Sequence, residues 1–262
     1  MVRVTDFDSA IVRTPSRSVV NGLRNDASAV PSYEDICAEH AAYVAALKQA
    51  GLAVDILPPL EAFPDSVFVE DPALVFPDAA ILLAPGAASR FGERDDLRRV
   101  LRRHFERVFE LGDGEHVDGG DILVTPHLVF IGLSARTNVA GADALELKLA
   151  SLGRRARIVE TPPAILHFKT ASSLLDEETI FATPAMAASG VFDGFHVVLT
   201  PEGEAAAANA LRVNDAVFAA AGFPRTLDLL SGEGYRVIAL DVSETAKLDA
   251  GLSCMSLRWR AR

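Results

Sequence analysis

The chain is 262 residues long, half of its residues are apolar, and its formal charge is −11 at pH 7. That is enough apolar material for a full core, while the acidic balance argues against a surface that tracks nucleic-acid phosphates. Two cysteines make no disulfide framework, and there is no basic-then-apolar leader and no run of about 18 apolar residues, so a cytoplasmic, membrane-free protein with reduced thiols is expected.

The first strand signal is AIVRT, residues 10–14. A helix over 32–50 follows, with Pro31 before it, Ser32 as N-cap and Gly51 as the residue past its end. Tyr33, Ile36, Cys37, His40, Val44 and Leu47 form its apolar stripe, which assigns Cys37 to the core. The strand LAVDIL comes next. Residues 67–110 read as strand (VFVED), turn, strand (AAILLA), helix around 93–105 and strand (RVFEL). Arg98, Arg99, Arg102, Arg103 and Arg107 are the solvated face of that helix, opposite Leu97, Val100, Leu101 and Phe105. The same order returns over 120–160 as DILV, HLVFIG, a helix near 139–151 and ARIVE, and over 208–240 as ALRV, AVFAAA, a short helix and YRVIAL.

Gly86, Gly132 and Gly222 mark equivalent positions at intervals of 46 and 90 residues, so a further unit is expected near 177. LHFKTASSLL, a turn at Asp176-Glu177-Glu178 and TIFAT supply its hairpin. The N-terminal strand has no preceding partner of its own, and the C-terminal MSLRWR can provide one. A chain whose last strand completes its first unit closes into a ring, because single repeats cannot bury their apolar faces. The expectation is an α/β fold of five ββαβ units around a central site, forming one domain over residues 1–262.

Polar residues at equivalent unit ends would then meet. Asp65, Glu70 and Asp71 sit in the apolar segment FPDSVFVEDPA, where three acids are costly unless they face a cation. The paired glycines of Asp118-Gly119-Gly120-Asp121 let the backbone turn tightly and bring a carboxylate inward. His167 stands in an apolar strand-like stretch, and Cys254 lies in a Gly/Ser-flanked turn with no helical stripe around it. A buried cysteine or histidine is ordinarily a packing residue. Together, however, they supply a nucleophile, a base and an orienting acid. Glu70 and Asp71 suit a planar guanidinium, and Arg90 and Arg136, ending matched Gly-x-x-x-Arg turns, suit a substrate carboxylate. The ligand these residues describe is an amino acid with a guanidino tail. Gly112-Asp113-Gly114-Glu115-His116 lacks the glycine spacing of a dinucleotide loop, and no zinc motif or nucleophile elbow is present.

FPDSVFVEDPA, the Asp-Gly-Gly-Asp turn, IGLSARTN, LHFKT and KLDAGLSCMSLRW together resemble the dimethylarginine dimethylaminohydrolases, of the guanidino-group modifying superfamily, from about residue 11 to 259. The resemblance implies a pentein-type five-bladed propeller of pseudo-fivefold symmetry and hydrolysis of Nω-methylated L-arginine to citrulline and an amine, with no cofactor and no metal. It implies Cys254 as nucleophile, His167 as general acid and base, and Asp118 orienting the imidazole. Asp65, Glu70 and Asp71 would bind the guanidinium, Arg90 and Arg136 the carboxylate, and Leu23 and Leu248 would line the pocket. Some family members carry glutamate at the place of Asp118, and some a second cysteine where Met255 stands. Lys169 occupies the place of an aspartate in the arginine deiminases, which disfavours unsubstituted arginine. Partners other than this small molecule are not expected, apart from a second copy of the chain as a homodimer. The alternatives are an Nω-hydroxyarginine hydrolase, another guanidino-modifying enzyme such as an amidinotransferase, and a propeller that only binds cationic amino acids.

Overall fold

The computed structural model describes residues 3–261. Its first blade holds β1 (Ser9–Arg13), α1 (Tyr33–Gln49) and β2 (Ala53–Leu57). The second holds β3 (Ala73–Phe76), β4 (Ala79–Leu82), α2 (Glu93–His104) and β5 (Val108–Glu110). The third holds β6 (Ile122–Val124), β7 (Val129–Leu133), α3 (Val139–Ser151) and β8 (Ala156–Glu160). The fourth has β9 (Ser172–Leu174), β10 (Thr179–Ala182), the single turn α4 (Pro184–Ala187) and β11 (His196–Leu199). The fifth has β12 (Leu211–Val213), β13 (Ala216–Ala220), α5 (Pro224–Gly232) and β14 (Arg236–Leu240). After the single turn α6 (Ser243–Ala246), β15 (Leu257–Trp259) returns to the first blade.

Each blade is a three-stranded sheet in which an inner strand runs antiparallel to the central one and the outer strand runs parallel to it after a helical crossover. The first blade is completed by β15, which pairs antiparallel with β1 in the register Ser9↔Trp259, Ala10↔Arg258 and Ile11↔Leu257. The expected ring closure is therefore made by backbone hydrogen bonds between the two ends of the chain.

The helices seal the seams between blades. The α1 residues Ile36, Tyr43 and Leu47 pack with Phe218 and Leu240 of the fifth blade, and the α2 residues Leu97 and Leu101 pack with Ile11, Leu57 and Trp259 of the first. Ala142, Leu145 and Leu149 of α3 bridge Ile81 and Ile131, while Leu230 of α5 bridges Phe181 and Val217. Burying such a side chain contributes about 1.5–3 kcal/mol, and here every burial needs a neighbouring blade.

The caps of α1 form as expected: Ser32 Oγ accepts from Asp35 N at 3.2 Å, and Gly51 takes φ +96°. Three expectations are corrected. VFVED is not a strand, because the chain makes a tight turn at Pro64–Val67 and the strand begins at Ala73. LHFKT is likewise a turn before β9. Cys37 is only half-buried, since the inward face of α1 runs through Ile36, Glu39, His40, Tyr43 and Leu47, leaving Cys37 on its edge.

Candidate active site

A tight turn precedes every inner strand, and these turns stand at the same place in each blade. They carry Asp65 to Asp71, Asp118 to Asp121, His167 to Thr170, Asn209, and Ser253 with Cys254. Each is bonded to the next around the ring. Glu70 N donates to the Cys254 carbonyl (3.1 Å) and Gly119 N to the Asp71 carbonyl (2.9 Å). Phe168 N donates to Asp121 Oδ1 (3.0 Å), Asn209 Nδ2 to the Lys169 carbonyl (3.1 Å) and Ser253 N to Asn209 Oδ1 (3.1 Å). Gly119 is required for this closeness, because a Cβ there would lie 2.1 Å from the Glu70 carbonyl oxygen.

His167 is the N-cap residue of its turn, in extended backbone. Its ring lies over Gly120, where a Cβ would come within 3.0 Å of His167 Cγ and 3.2 Å of Asp118 Oδ1. Burial opposes a charged ring, but Asp118, Asp121 and Asp71 overcome it and raise His167 to about 9. The imidazole is therefore cationic at neutral pH. Asp118 is 3 % exposed and turns Oδ1 onto Gly120 N at 2.9 Å. The carboxylate nearest His167 Nδ1 is instead Asp121, whose Oδ2 lies 3.3 Å away.

Cys254 packs against the core shared by the first and fifth blades, with Ser253 Oγ 4.0 Å from its sulfur. Burial and the charges of Asp71 and Glu70 push the thiol up to about 12, so it rests protonated. Burial together with Asp118 also raises Asp71, to about 7, against the attraction of Arg90. A buried acid paired with Arg90 and held near a thiol, an imidazolium and a second acid makes a setting that favours a further positive charge.

The remaining expected residues are placed unevenly. Glu70 is engaged on both oxygens, Oε2 with Lys169 Nζ (2.6 Å) and Oε1 with Arg258 Nη2 (2.7 Å). This pair of bridges borders a cavity of about 880 Å³ along the inner strands, which Glu70, Lys169 and Arg258 line and which Cys254, His167 and Asp71 do not. Glu70, expected at a guanidinium, thus meets two of the protein's own cations. Asp65 holds Leu23 N at 2.9 Å through Oδ1, and Gly22 fits so tightly that a Cβ would meet Asp65 Oδ1 at 3.0 Å and Leu248 Cδ2 at 3.2 Å. Asp65, Leu23 and Leu248 therefore form one wall.

Arg90, expected at a substrate carboxylate, is bonded within the protein. It is 5 % exposed, and all three of its nitrogens donate inward, Nε to Glu93, Nη1 to Asp71 and Nη2 to Glu93 and the carbonyls of Asp65 and Phe68. It supports Asp71. Arg136 has its backbone against Gly86, and its guanidinium has no protein partner among the described residues. Sequence reasoning missed two members of the ring. Asp121 reads in sequence only as the second acid of a turn, and Asn209 carries a signal only in its position before the first strand of the fifth blade.

The profile of the family described as N,N dimethylarginine dimethylhydrolase, eukaryotic, matches residues 18–152, and that of arginine deiminase matches residues 98–211. The chain is 39% identical over 257 residues, 97% of its length and 100% of the relative's, to the N(G),N(G)-dimethylarginine dimethylaminohydrolase of Pseudomonas aeruginosa. It is 32% identical over 254 residues, 96% of both chains, to the Streptomyces coelicolor protein of the same name. A Pseudomonas aeruginosa structure of a cysteine-to-serine variant complexed with citrulline superposes with a TM-score of 0.93 at 38% identity, covering 96% of this chain and 99% of that one. The N-terminal domain of the cyanobacterial arginine dihydrolase ArgZ has a TM-score of 0.85 at 17% identity, covering 97% and 99%, and shares the fold.

Proposed function

The chain belongs to the dimethylarginine dimethylaminohydrolase family, and on that footing we propose that it hydrolyses Nω-methylated L-arginine to L-citrulline and an amine through a thiouronium adduct on Cys254. The observation that carries this reading is the ring of bonded turns, which brings Cys254, His167, Asp71 and Asp118 into one electrostatic cluster.

The substrate's guanidinium enters beside Asp71 and Asp118. Asp71 and Asp118 keep it charged and so keep its central carbon electrophilic. Its positive charge beside the sulfur favours the thiolate, which the free site disfavours, and the thiol's proton passes to solvent as the cation binds. The thiolate bonds to the guanidinium carbon, and the bond from that carbon to the methylated nitrogen breaks. His167, already protonated, gives its proton to the departing amine. The neutral imidazole then takes a proton from water as the water oxygen adds to the same carbon. The C–S bond breaks with departure of the thiolate, the added oxygen gives up its remaining proton to solvent, where the released amine takes it up, and that oxygen becomes the ureido oxygen of citrulline.

Arg136 is the carboxylate anchor in this reading, because its guanidinium is uncommitted whereas that of Arg90 is spent on Asp71 and Glu93. Lys169, tied to Glu70, offers no acceptor to a further N–H of unsubstituted arginine, which leaves such a group unpaired. The whole chain acts as one catalytic unit, since β15 places the nucleophile's turn by pairing with β1.

The test is a product assay with dimethyl-, monomethyl-, hydroxy- and unmodified arginine on the wild-type protein and Cys254→Ser. Citrulline from the methylated substrates by the wild type alone is expected. Ornithine in place of citrulline, or citrulline formed by Cys254→Ser, would overturn the reading.

A further inference from the structure

Asp121 is wholly buried, with no exposed surface at all. A carboxylate in that setting persists only where its oxygens are satisfied, and the partners here come from two stretches of chain, 134–137 and 167–168. Oδ1 accepts Phe168 N at 3.0 Å, the peptide immediately after His167. Oδ2 accepts Ser134 Oγ at 2.6 Å and Thr137 Oγ1 at 2.7 Å, and lies 3.3 Å from His167 Nδ1. Both hydroxyls pass the link on. Ser134 Oγ accepts the backbone N–H groups of Arg136 (2.9 Å) and Thr137 (3.2 Å), and Thr137 Oγ1 accepts that of Asp118 (3.0 Å).

We propose that Asp121 is the positioning residue of this site, one buried carboxylate that sets His167 directly, Arg136 through Ser134 and Asp118 through Thr137. Its direct partner is the group that moves protons, and its indirect ones are the carboxylate anchor and the acid facing the guanidinium. Both ends of the substrate are therefore registered against one point, so that the guanidinium carbon meets the acid when the α-carboxylate is seated. The arrangement needs hydroxyls at 134 and 137, because only a group that donates to one partner while accepting from another can relay the position. The acid is also specifically required at 121. Asparagine would turn an NH₂ group toward either the Phe168 N–H or the two hydroxyls and could serve only one side.

The proposal rests on the hydrolase reading for the identity of the substrate, and its experiment separates the two. His167 is followed by NMR in ¹³C-histidine protein, assigned by difference with His167→Gln, which needs no turnover. The charged groups facing the ring are Asp118, Asp121 and Asp71. In folded Asp121→Asn the His167 midpoint is expected to fall from about 9 toward the ordinary 6.5, with kcat for the methylated substrate down at least tenfold. A midpoint unchanged in the folded variant overturns the direct role. Ser134→Ala leaves Asp121 beside His167 and is expected to raise KM severalfold with the His167 midpoint unmoved. An unchanged KM overturns the relay to Arg136, and that variant decides the matter if Asp121→Asn does not fold. A wild type that yields no citrulline would remove the hydrolase reading while leaving the titration result standing.

Discussion

Asn209 grips Ser253 at both ends of its side-chain amide, Nδ2 standing 3.1 Å from Ser253 Oγ and Oδ1 3.1 Å from Ser253 N. The same Nδ2 reaches the Lys169 carbonyl at 3.1 Å, so one side chain ties the turn after His167 to the turn that ends in Cys254. Gly251 approaches so closely that a Cβ there would lie 2.6 Å from Asn209 Oδ1.

Removing this tie should loosen the nucleophile relative to its acid. Asn209→Ala leaves a backbone donor at 253 and an acceptor at 169 without partners, a cost of about 1–3 kcal/mol in stability. The activity loss should exceed what that implies, with kcat falling and KM little changed, because the substrate's contacts are elsewhere. Thermal melting and steady-state kinetics check this; a variant that loses stability but keeps kcat would make Asn209 a packing residue only.

Arg136 should matter for the amino-acid end of the substrate and not for the reaction itself. Arg136→Ala is expected to cost about 1.5–3 kcal/mol of transition-state stabilisation for a methylated arginine, the range for a hydrogen bond to a charged group, and far less for a methylated agmatine that lacks the carboxylate. Equal losses for the two substrates would remove Arg136 from the anchor role.

The resting thiol should be slow to react. With Cys254 held up to about 12, haloacetamide alkylation in the absence of substrate is expected to be slow at pH 7 and to climb steadily with pH. The assay belongs in a Cys37→Ala background, since Cys37 is itself only half-buried. A small amidine that leaves the sulfur accessible should accelerate alkylation by placing a positive charge beside it. Rapid labelling at pH 6 would show instead a thiolate formed before substrate binds.

The site should also make folding stability depend on pH. His167 is raised from 6.5 to about 9, so its stabilising contribution is complete below 6.5 and is lost as pH rises through 9. Asp71, raised from 3.8 to about 7, has the same sign over a lower window. The buried His40 is lowered from 6.5 to about 4 by burial and acts oppositely, but only below 6.5. Between about pH 7 and 9, therefore, the melting temperature of the free protein should fall, and His167→Gln should flatten that fall. A slope over this interval identical in the variant would show that His167 does not carry the charge.

The sequence by itself determined the repeat, the closure of the ring by MSLRWR on AIVRT, and the helices whose caps and stripes are local. It also pointed to Cys254, His167 and the Asp118 turn, because chemistry-bearing residues recurred at matching places in successive units. These are properties of periodicity and spacing, which survive without knowledge of any contact. What the sequence hid was the use to which each charge is put. Glu70 and Asp71 are neighbours along the chain, yet one faces Lys169 and Arg258 while the other faces Arg90 and the site. Arg90 and Arg136 end similar turns, yet only Arg136 is left uncommitted, because Glu93 one turn further on captures Arg90. Asp121 and Asn209 gain their roles from partners in other blades. Such assignments depend on which neighbours the ring brings within about 3 Å, and hydrogen bonds and ion pairs are decided at that distance and not along the chain.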